Sequence, residues 1–303
     1  MTSGENQVKQ KPWLGQPAKT IEILQKYHFR FQKKYGQNFL IDPHVLEKIV
    51  RAAEIGEDDM VLEIGPGIGT LTQYLAYAAR EVCAIEIDRN LIPILTEDTL
   101  KDWDNVTVIC RDVMDMDLCE LVRERNNGRP VRIAANLPYY ITTPILMKIL
   151  EEHVPCRSIT VMVQSEVADR MRALPGTEEY GALSLAVQYY TVPEVKASVP
   201  PNCFMPRPNV GSTVITLKPR TGDNRICVRD EKLLFRIIRA SFAQRRKTLM
   251  NGLRNSADLQ LSKEQAEEVI AAAGFPASVR GEKLSLEDFA ALSDIMSARG
   301  LPS

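Results

Sequence analysis

A short apolar run that ends in a glycine-rich turn and passes at once into helix-forming residues constrains this chain more than any other feature. Residues 59–64 (Asp-Met-Val-Leu-Glu-Ile) read as a buried strand, Gly65-Pro-Gly67-Ile-Gly69 follows, and residues 70–79 have helical spacing. Glycines at such a junction let the backbone turn tightly and let a ligand come close to it. The alternation then repeats: strands over 81–87, 105–110 and 131–135 are separated by helices over 90–100 and 118–125. After Pro144 a helix runs through Glu152, followed by a strand over 158–163 and a helix over 166–174. Short apolar strands alternating with helices predict an α/β fold with a parallel sheet covered on both faces. Two β-like stretches, 192–199 and 211–217, bracket a proline cluster and predict a long hairpin-like edge. Residues 218–224 are rich in turn formers and mark a boundary. Beyond it, 231–254, 262–273 and 285–298 read as helices, punctuated by Gly274, Pro276 and Gly281.

Composition narrows the chemistry. At 303 residues the chain is long enough for two domains, and with 45% hydrophobic and 25% charged residues it is of ordinary globular type. No apolar run approaches the roughly 20 residues of a membrane helix, and the polar start lacks the core of a signal peptide. A soluble protein of the cytoplasm is expected. The six cysteines (Cys83, Cys110, Cys119, Cys156, Cys203 and Cys227) contain no CxxC pair and suggest no disulfide framework. Three histidines, none spaced like a zinc ligand, argue against metal catalysis and against histidine-assisted nucleophiles. The net charge of −1 hides a contrast: residues 54–124 carry 17 acidic and 5 basic side chains, whereas 1–39 carry 7 basic to 2 acidic and 225–254 carry 9 basic to 2 acidic. An acidic middle between two basic segments suggests a polyanion held from the ends of the chain, with solvated helix faces as the plain alternative.

The polar groups that could do chemistry fall at strand ends. Glu86 ends the second strand, where a carboxylate can accept hydrogen bonds from ribose hydroxyls. Asp112, after Arg111, ends the third and could hold an adenine amino group. Asn136-Leu137-Pro138-Tyr139 ends the fourth. In open parallel sheets, ligands sit beyond the carboxyl ends of the strands. This series resembles the S-adenosylmethionine-dependent methyltransferases, and the tetrapeptide resembles the signature of those that methylate exocyclic amines of nucleic-acid bases. An adenine amino nitrogen is a weak nucleophile because its lone pair is delocalised into the ring. The Asn136 side-chain oxygen and the Leu137 carbonyl can accept both amino hydrogens and favour a pyramidal nitrogen, so positioning replaces a strong base. Tyr139 offers a face for the target base. Phe204, which alone would read as a core aromatic, in this company reads as the opposite wall.

The resemblance is closer still. Tyr35-Gly-Gln-Asn-Phe-Leu-Ile-Asp42, Glu63-Ile-Gly-Pro-Gly-Ile-Gly69, Asn136-Leu-Pro-Tyr-Tyr140, Tyr180-Gly-Ala-Leu-Ser184, Phe204-Met-Pro-Arg-Pro-Asn-Val210 and Ser241-Phe-Ala-Gln-Arg-Arg-Lys-Thr-Leu249 resemble the bacterial KsgA/RsmA family, the small-subunit rRNA adenine dimethyltransferases. The match spans about residues 20–295. It implies a Rossmann-like class I methyltransferase domain over 31–220, preceded by an N-terminal extension (1–30) and followed by a small helical RNA-binding domain (221–303). It further implies S-adenosylmethionine as methyl donor and no metal. The substrate would be two adjacent adenosines in the 3′-terminal hairpin loop of 16S rRNA in the 30S particle, and nothing demands more than a monomer. Cofactor contacts carried over are Gln37, Asn38, Leu40, Gly65, Gly67, Glu86, Asp112 and Asn136, with Asn136, Leu137, Pro138, Tyr139 and Phe204 at the target amine.

Arg236, Arg239, Arg245, Arg246 and Lys247 are expected to neutralise rRNA phosphates, with salt-dependent and sequence-blind affinity. The chain departs from the family pattern at Gly211, where aspartate is usual, and at Ser165, where lysine is usual. Three rival readings are weaker. Against an Erm-type 23S rRNA dimethyltransferase, the run Phe242 to Lys247 and the length past residue 220 favour the small-subunit family. A non-catalytic assembly factor does not need Glu86, Asp112 and Asn136 intact. A nicotinamide dehydrogenase leaves Asn136 to Tyr139 unexplained.

Overall fold

The computed structural model describes residues 10–32 and 35–301, so part of the expected N-terminal extension lies outside the described residues. In chain order its elements are α1 (Pro17–Lys26), β1 (Phe39–Leu40), α2 (Pro43–Ala52), β2 (Met60–Ile64), α3 (Thr70–Ala78), β3 (Glu81–Glu86), α4 (Ile92–Ile94), β4 (Val106–Cys110), α5 (Leu118–Asn126), β5 (Val131–Asn136), α6 (Thr142–Glu151), β6 (Cys156–Gln164) and α7 (Ser165–Arg172). Then follow α8 (Ala182–Tyr190), β7 (Thr191–Val199), β8 (Phe204–Met205), β9 (Ser212–Pro219), α9 (Glu231–Ala243), α10 (Leu249–Arg254), α11 (Lys263–Ala272) and α12 (Leu286–Ala298).

Seven strands form one sheet in the order β4-β3-β2-β5-β6-β9-β7. Pairing is parallel from β4 through β6, and β9 runs antiparallel to β6 in the register Ile159 opposite Leu217. The central strands are apolar on both sides because helices cover both faces; Val61, Leu62, Val82, Ala84, Ile133 and Ala134 are fully buried. The strand order reverses between β2 and β5, which opens a crevice at their carboxyl ends, where such sheets bind ligands. The expected edge hairpin is present as adjacent β7 and β9. Between them, β8 leaves the main sheet to pair antiparallel with β1, Leu40 opposite Phe204.

Local side chains cap several helix starts. Asp42 accepts from the His44 and Val45 amides ahead of α2, Asp117 accepts from Glu120 N ahead of α5, and Ser262 and Ser285 form capping boxes for α11 and α12. Three expectations change. The helix over 90–100 is one α turn followed by a wider π-type winding over Leu95–Thr99, where Leu100 N donates to Leu95 O. The single helix over 231–254 is broken: α9 stops at Ala243, Thr248 caps α10, and α10 folds back so that a Cβ on Gly252 would lie 2.8 Å from the Ala240 carbonyl. The third difference is helix α8, whose residues are apolar on nearly every side and carry no helical period in the sequence.

The chain packs as two compact units. One holds the described residues to Ala168 with Glu194–Lys218, and the other holds Asp169–Pro193 with the described residues from Pro219. Residues 169–193 thus group with the C-terminal helices, where a boundary near 220 would leave them with the sheet. Long-range polar contacts explain the grouping. The buried Tyr180 hydroxyl donates to the Leu284 carbonyl at 2.8 Å, and the Tyr189 and Tyr190 hydroxyls both donate to Glu231 around the Phe235 ring.

Candidate active site

A cleft of about 990 Å³, its open mouth included, lies within the first unit over the carboxyl ends of β2, β3 and β5 and beside Asp112. Its floor is the glycine turn. Gly67 has φ +61°, and a Cβ there would meet the Phe39 ring at 2.9 Å, so only glycine fits beneath that aromatic. With the side chain absent, the Gly67 amide donates to Glu86 Oε2 at 3.1 Å. Glu86 Oε1 accepts from the Asp88 amide at 2.8 Å, so each oxygen of this buried carboxylate has a backbone donor. Burial still pushes Glu86 up to about 7, against the pull of those hydrogen bonds.

Glu63 stands beside it in the cleft wall. It is 1% exposed, its Oε2 has no hydrogen-bond partner among the described residues, and burial pushes it up to about 8, against the nearby Thr72 hydroxyl and with the charge of Glu86 adding to the effect. In the sequence Glu63 is marked only by its place just ahead of the glycine turn. Asp112, half-buried, accepts from Met114 N at 2.8 Å through Oδ1.

A lip formed by Tyr35 to Leu40 also lines the cleft. Leu40 is buried against the cleft, and Asn38 Nδ2 donates to the Gly36 carbonyl at 3.1 Å. Both polar atoms of the Gln37 side chain are engaged within the protein: Oε1 accepts from Gln32 N at 3.1 Å and Nε2 donates to Asp88 Oδ2 at 2.8 Å. Gln37 lines the cleft, then, but its amide holds the lip.

Asn136 Nδ2 donates to the Asn38 carbonyl at 3.0 Å. That bond fixes which way the amide faces and leaves its oxygen as the acceptor for a ligand. Leu137 is anchored by its amide on the Met162 carbonyl at 3.2 Å, and the Pro138 carbonyl accepts from Ile141 N and Thr142 Oγ1. The tetrapeptide is therefore held rigidly at the end of β5. Tyr139 is half-buried with its hydroxyl 2.8 Å from Ser212 Oγ, and burial raises its phenol above the usual value. Tyr140, not singled out from the sequence, is 55% exposed at the mouth. Phe204 corrects an expectation: paired opposite Leu40 on β8 it is 3% exposed, packs in the core and does not line the cleft, so it presents no open face to a base in this conformation.

The expected basic residues lie in the second unit and differ among themselves. Arg239, Arg246 and Lys247 are exposed. Arg236 donates to the Asp258 carbonyl, and Arg245 pairs with Glu282 at 3.4 Å and donates to the Thr177 carbonyl at 3.1 Å. Among the described residues no group of three or more His, Cys, Asp or Glu could hold a metal, and no helix is long and apolar enough to cross a membrane.

The family model described as ribosomal RNA adenine dimethylase matches residues 28–296. The chain belongs to the ribosomal RNA adenine dimethylase family. A relative from Lachnoclostridium phytofermentans, named ribosomal RNA small subunit methyltransferase A, is 62% identical over 94% of this chain and 98% of its own. One of the same name from Clostridioides difficile is 51% identical over 92% and 96%. Among solved structures, a dimethyladenosine transferase from Plasmodium falciparum superposes with a TM-score of 0.72 at 25% identity, covering 87% of this chain and 98% of that one. As a member of this dimethylase family the chain is a methyltransferase with an rRNA substrate, on the α/β methyltransferase fold.

Proposed function

We propose that the protein transfers methyl groups from S-adenosylmethionine to N6 of two adjacent adenosines in the 3′-terminal hairpin loop of 16S rRNA, acting in the cytoplasm as a monomer on the 30S particle during its biogenesis. The observation that carries this reading is the amide of Asn136, pinned through its nitrogen with its oxygen left to accept. What supports a cationic nucleoside is that Glu63 has an orphaned buried oxygen and that Glu86 and Asp112 line the same cleft; we assign Glu86 to the ribose hydroxyls and Asp112 to the adenine amino group. When bound, S-adenosylmethionine supplies an electrophilic methyl group on a sulfonium.

The chain's own residues do the rest. Asn136 Oδ1 and the Leu137 carbonyl accept the two hydrogens of the target amine and draw its lone pair out of the ring plane. After one transfer the methylated nitrogen gives up a proton to water, and the single N–H that remains is held by one of these acceptors for the second. Tyr139 and the exposed Tyr140 supply aromatic surface for a base that has left its stack. Arg239, Arg246 and Lys247 neutralise phosphate while rRNA shape selects the site. The test is methyl transfer from labelled S-adenosylmethionine to 30S particles and to 23S rRNA, both from cells lacking these modifications, with the product nucleoside identified. Dimethyladenosine in 16S rRNA alone is expected. Label in 23S rRNA alone, or in neither, would overturn the reading.

A further inference from the structure

Asp88 is a buried carboxylate for which the chemistry above has no use. It is 1% exposed, makes no ion pair among the described residues, and is surrounded by neutral amide donors. Oδ2 accepts from Gln37 Nε2 at 2.8 Å and Gln32 Nε2 at 3.3 Å; Oδ1 accepts from Gln32 Nε2 at 3.2 Å, Asn90 Nδ2 at 2.9 Å and Asn90 N at 3.1 Å. Burying a charge is expensive unless hydrogen bonds satisfy it, and an apolar residue would fill this space more cheaply if filling were all that was required. What the carboxylate gains is control of the lip. Gln32 and Gln37 both belong to the segment before β1, and Gln37 immediately precedes Asn38, whose carbonyl fixes Asn136. The backbone of Asp88 meanwhile holds Glu86.

We propose that Asp88 is a positioning residue for the methyl transfer: through Gln37 it fixes the Asn38 carbonyl and thereby the direction of the Asn136 amide, while its own amide sets Glu86. The kinetic part rests on the function proposed above. The relay depends on donor and acceptor identity. In Asp88→Asn one oxygen becomes an NH₂ group opposite the Gln37 NH₂. Flipping the Gln37 amide brings no relief, because it would then face the Gln32 N–H. The pair Asp88→Asn with Gln37→Glu reverses donor and acceptor and restores the bond, while leaving acceptors for Gln32 and Asn90.

The experiment uses the full chain with ¹⁵N-labelled asparagine and reads three quantities: the single-turnover methyl-transfer rate, the affinity for S-adenosylhomocysteine, and the Asn136 side-chain NH₂ resonance, identified by its absence in Asn136→Ala. Asp88→Asn should lower the rate by about 10- to 100-fold, as expected when a reacting group is displaced by about 1 Å. It should also move the Asn136 resonance, and the double variant should recover both. Gln37→Ala, which leaves Asp88 its Gln32 and Asn90 donors, should reproduce the loss if Asp88→Asn does not fold. An unmoved Asn136 resonance in the single variants, or a rate loss that tracks thermal stability and is not recovered in the double variant, would overturn the relay. A wild-type enzyme inactive on every rRNA would overturn the proposed function instead, and the resonance would still decide the relay.

Discussion

Glu63 provides a prediction whose size follows from its surroundings. Its carboxyl is held at about 8 in the fold, chiefly by burial, against 4.5 for the free group. Between these values the unfolded chain has released a proton that the folded chain keeps, so stability is complete below about pH 4.5 and falls as pH rises toward 8. At about 1.4 kcal/mol per pH unit, the fold forfeits on the order of 3 kcal/mol by pH 7 and up to about 5 by pH 8. Glu63→Gln keeps the shape and has no proton to lose. The cofactor-free variant should therefore match the wild type within about 1 kcal/mol at pH 5 and exceed it by about 3–5 kcal/mol at pH 8. Glu86, pushed up to about 7, adds a slope of the same sign to both proteins, and the difference between them reads Glu63 together with its coupling to Glu86. Urea unfolding followed by tryptophan fluorescence reads the right unit, because the chain's two tryptophans, Trp13 and Trp103, both lie in the first. Parallel pH profiles, or a variant less stable at pH 8, would refute the reasoning. The gain in stability should be matched by weaker binding of S-adenosylmethionine, since the ionised carboxylate is what a cationic ligand needs.

Asn136→Ala should abolish turnover while 30S binding, read by filter retention, stays near wild type; wild-type turnover would sink the amide's role. Gly67→Ala forces a side chain into a left-handed conformation, costing about 1–2 kcal/mol, and into the Phe39 ring at 2.9 Å. Titration should show cofactor affinity down by more than about tenfold, with a lower melting temperature. Reversing the exposed Arg246 and Lys247 to Glu should weaken particle binding and reduce its salt slope by about 2 with thermal stability unchanged. Arg245→Glu should lower stability as well, because it breaks contacts to Glu282 and Thr177; an unchanged salt slope in the first pair would move the RNA contact elsewhere.

What the residue order makes legible follows from local physics. Short, near-continuous apolar runs between turn formers and helical segments identify β2 through β6, and a carboxylate or amide at a strand's end lies on the ligand edge of a parallel sheet. Glu86, Asp112 and Asn136 could therefore be placed at one sheet edge from residue order, and the structure brings all three to one cleft. Helix α8 was not legible, because its residues are apolar on nearly every side and carry no period. The break between α9 and α10 was equally hidden: helical propensity continues through 244–248, and only the approach of Gly252 to Ala240 rewards the fold-back.

The sequence by itself determined the sheet, the glycine turn and which polar groups stand at the strand ends, since these depend on neighbours within a few residues. Tertiary structure alone decided which side chains face the cleft. Phe204 went to the core because β8 pairs with β1, a contact between residues far apart in the chain, and Gln37 was drawn to Asp88 across 51 positions. Hydrogen bonds and burial at that separation obey no local period, so only folding could show that the lip, the buried carboxylate and the Asn136 amide form one connected structure.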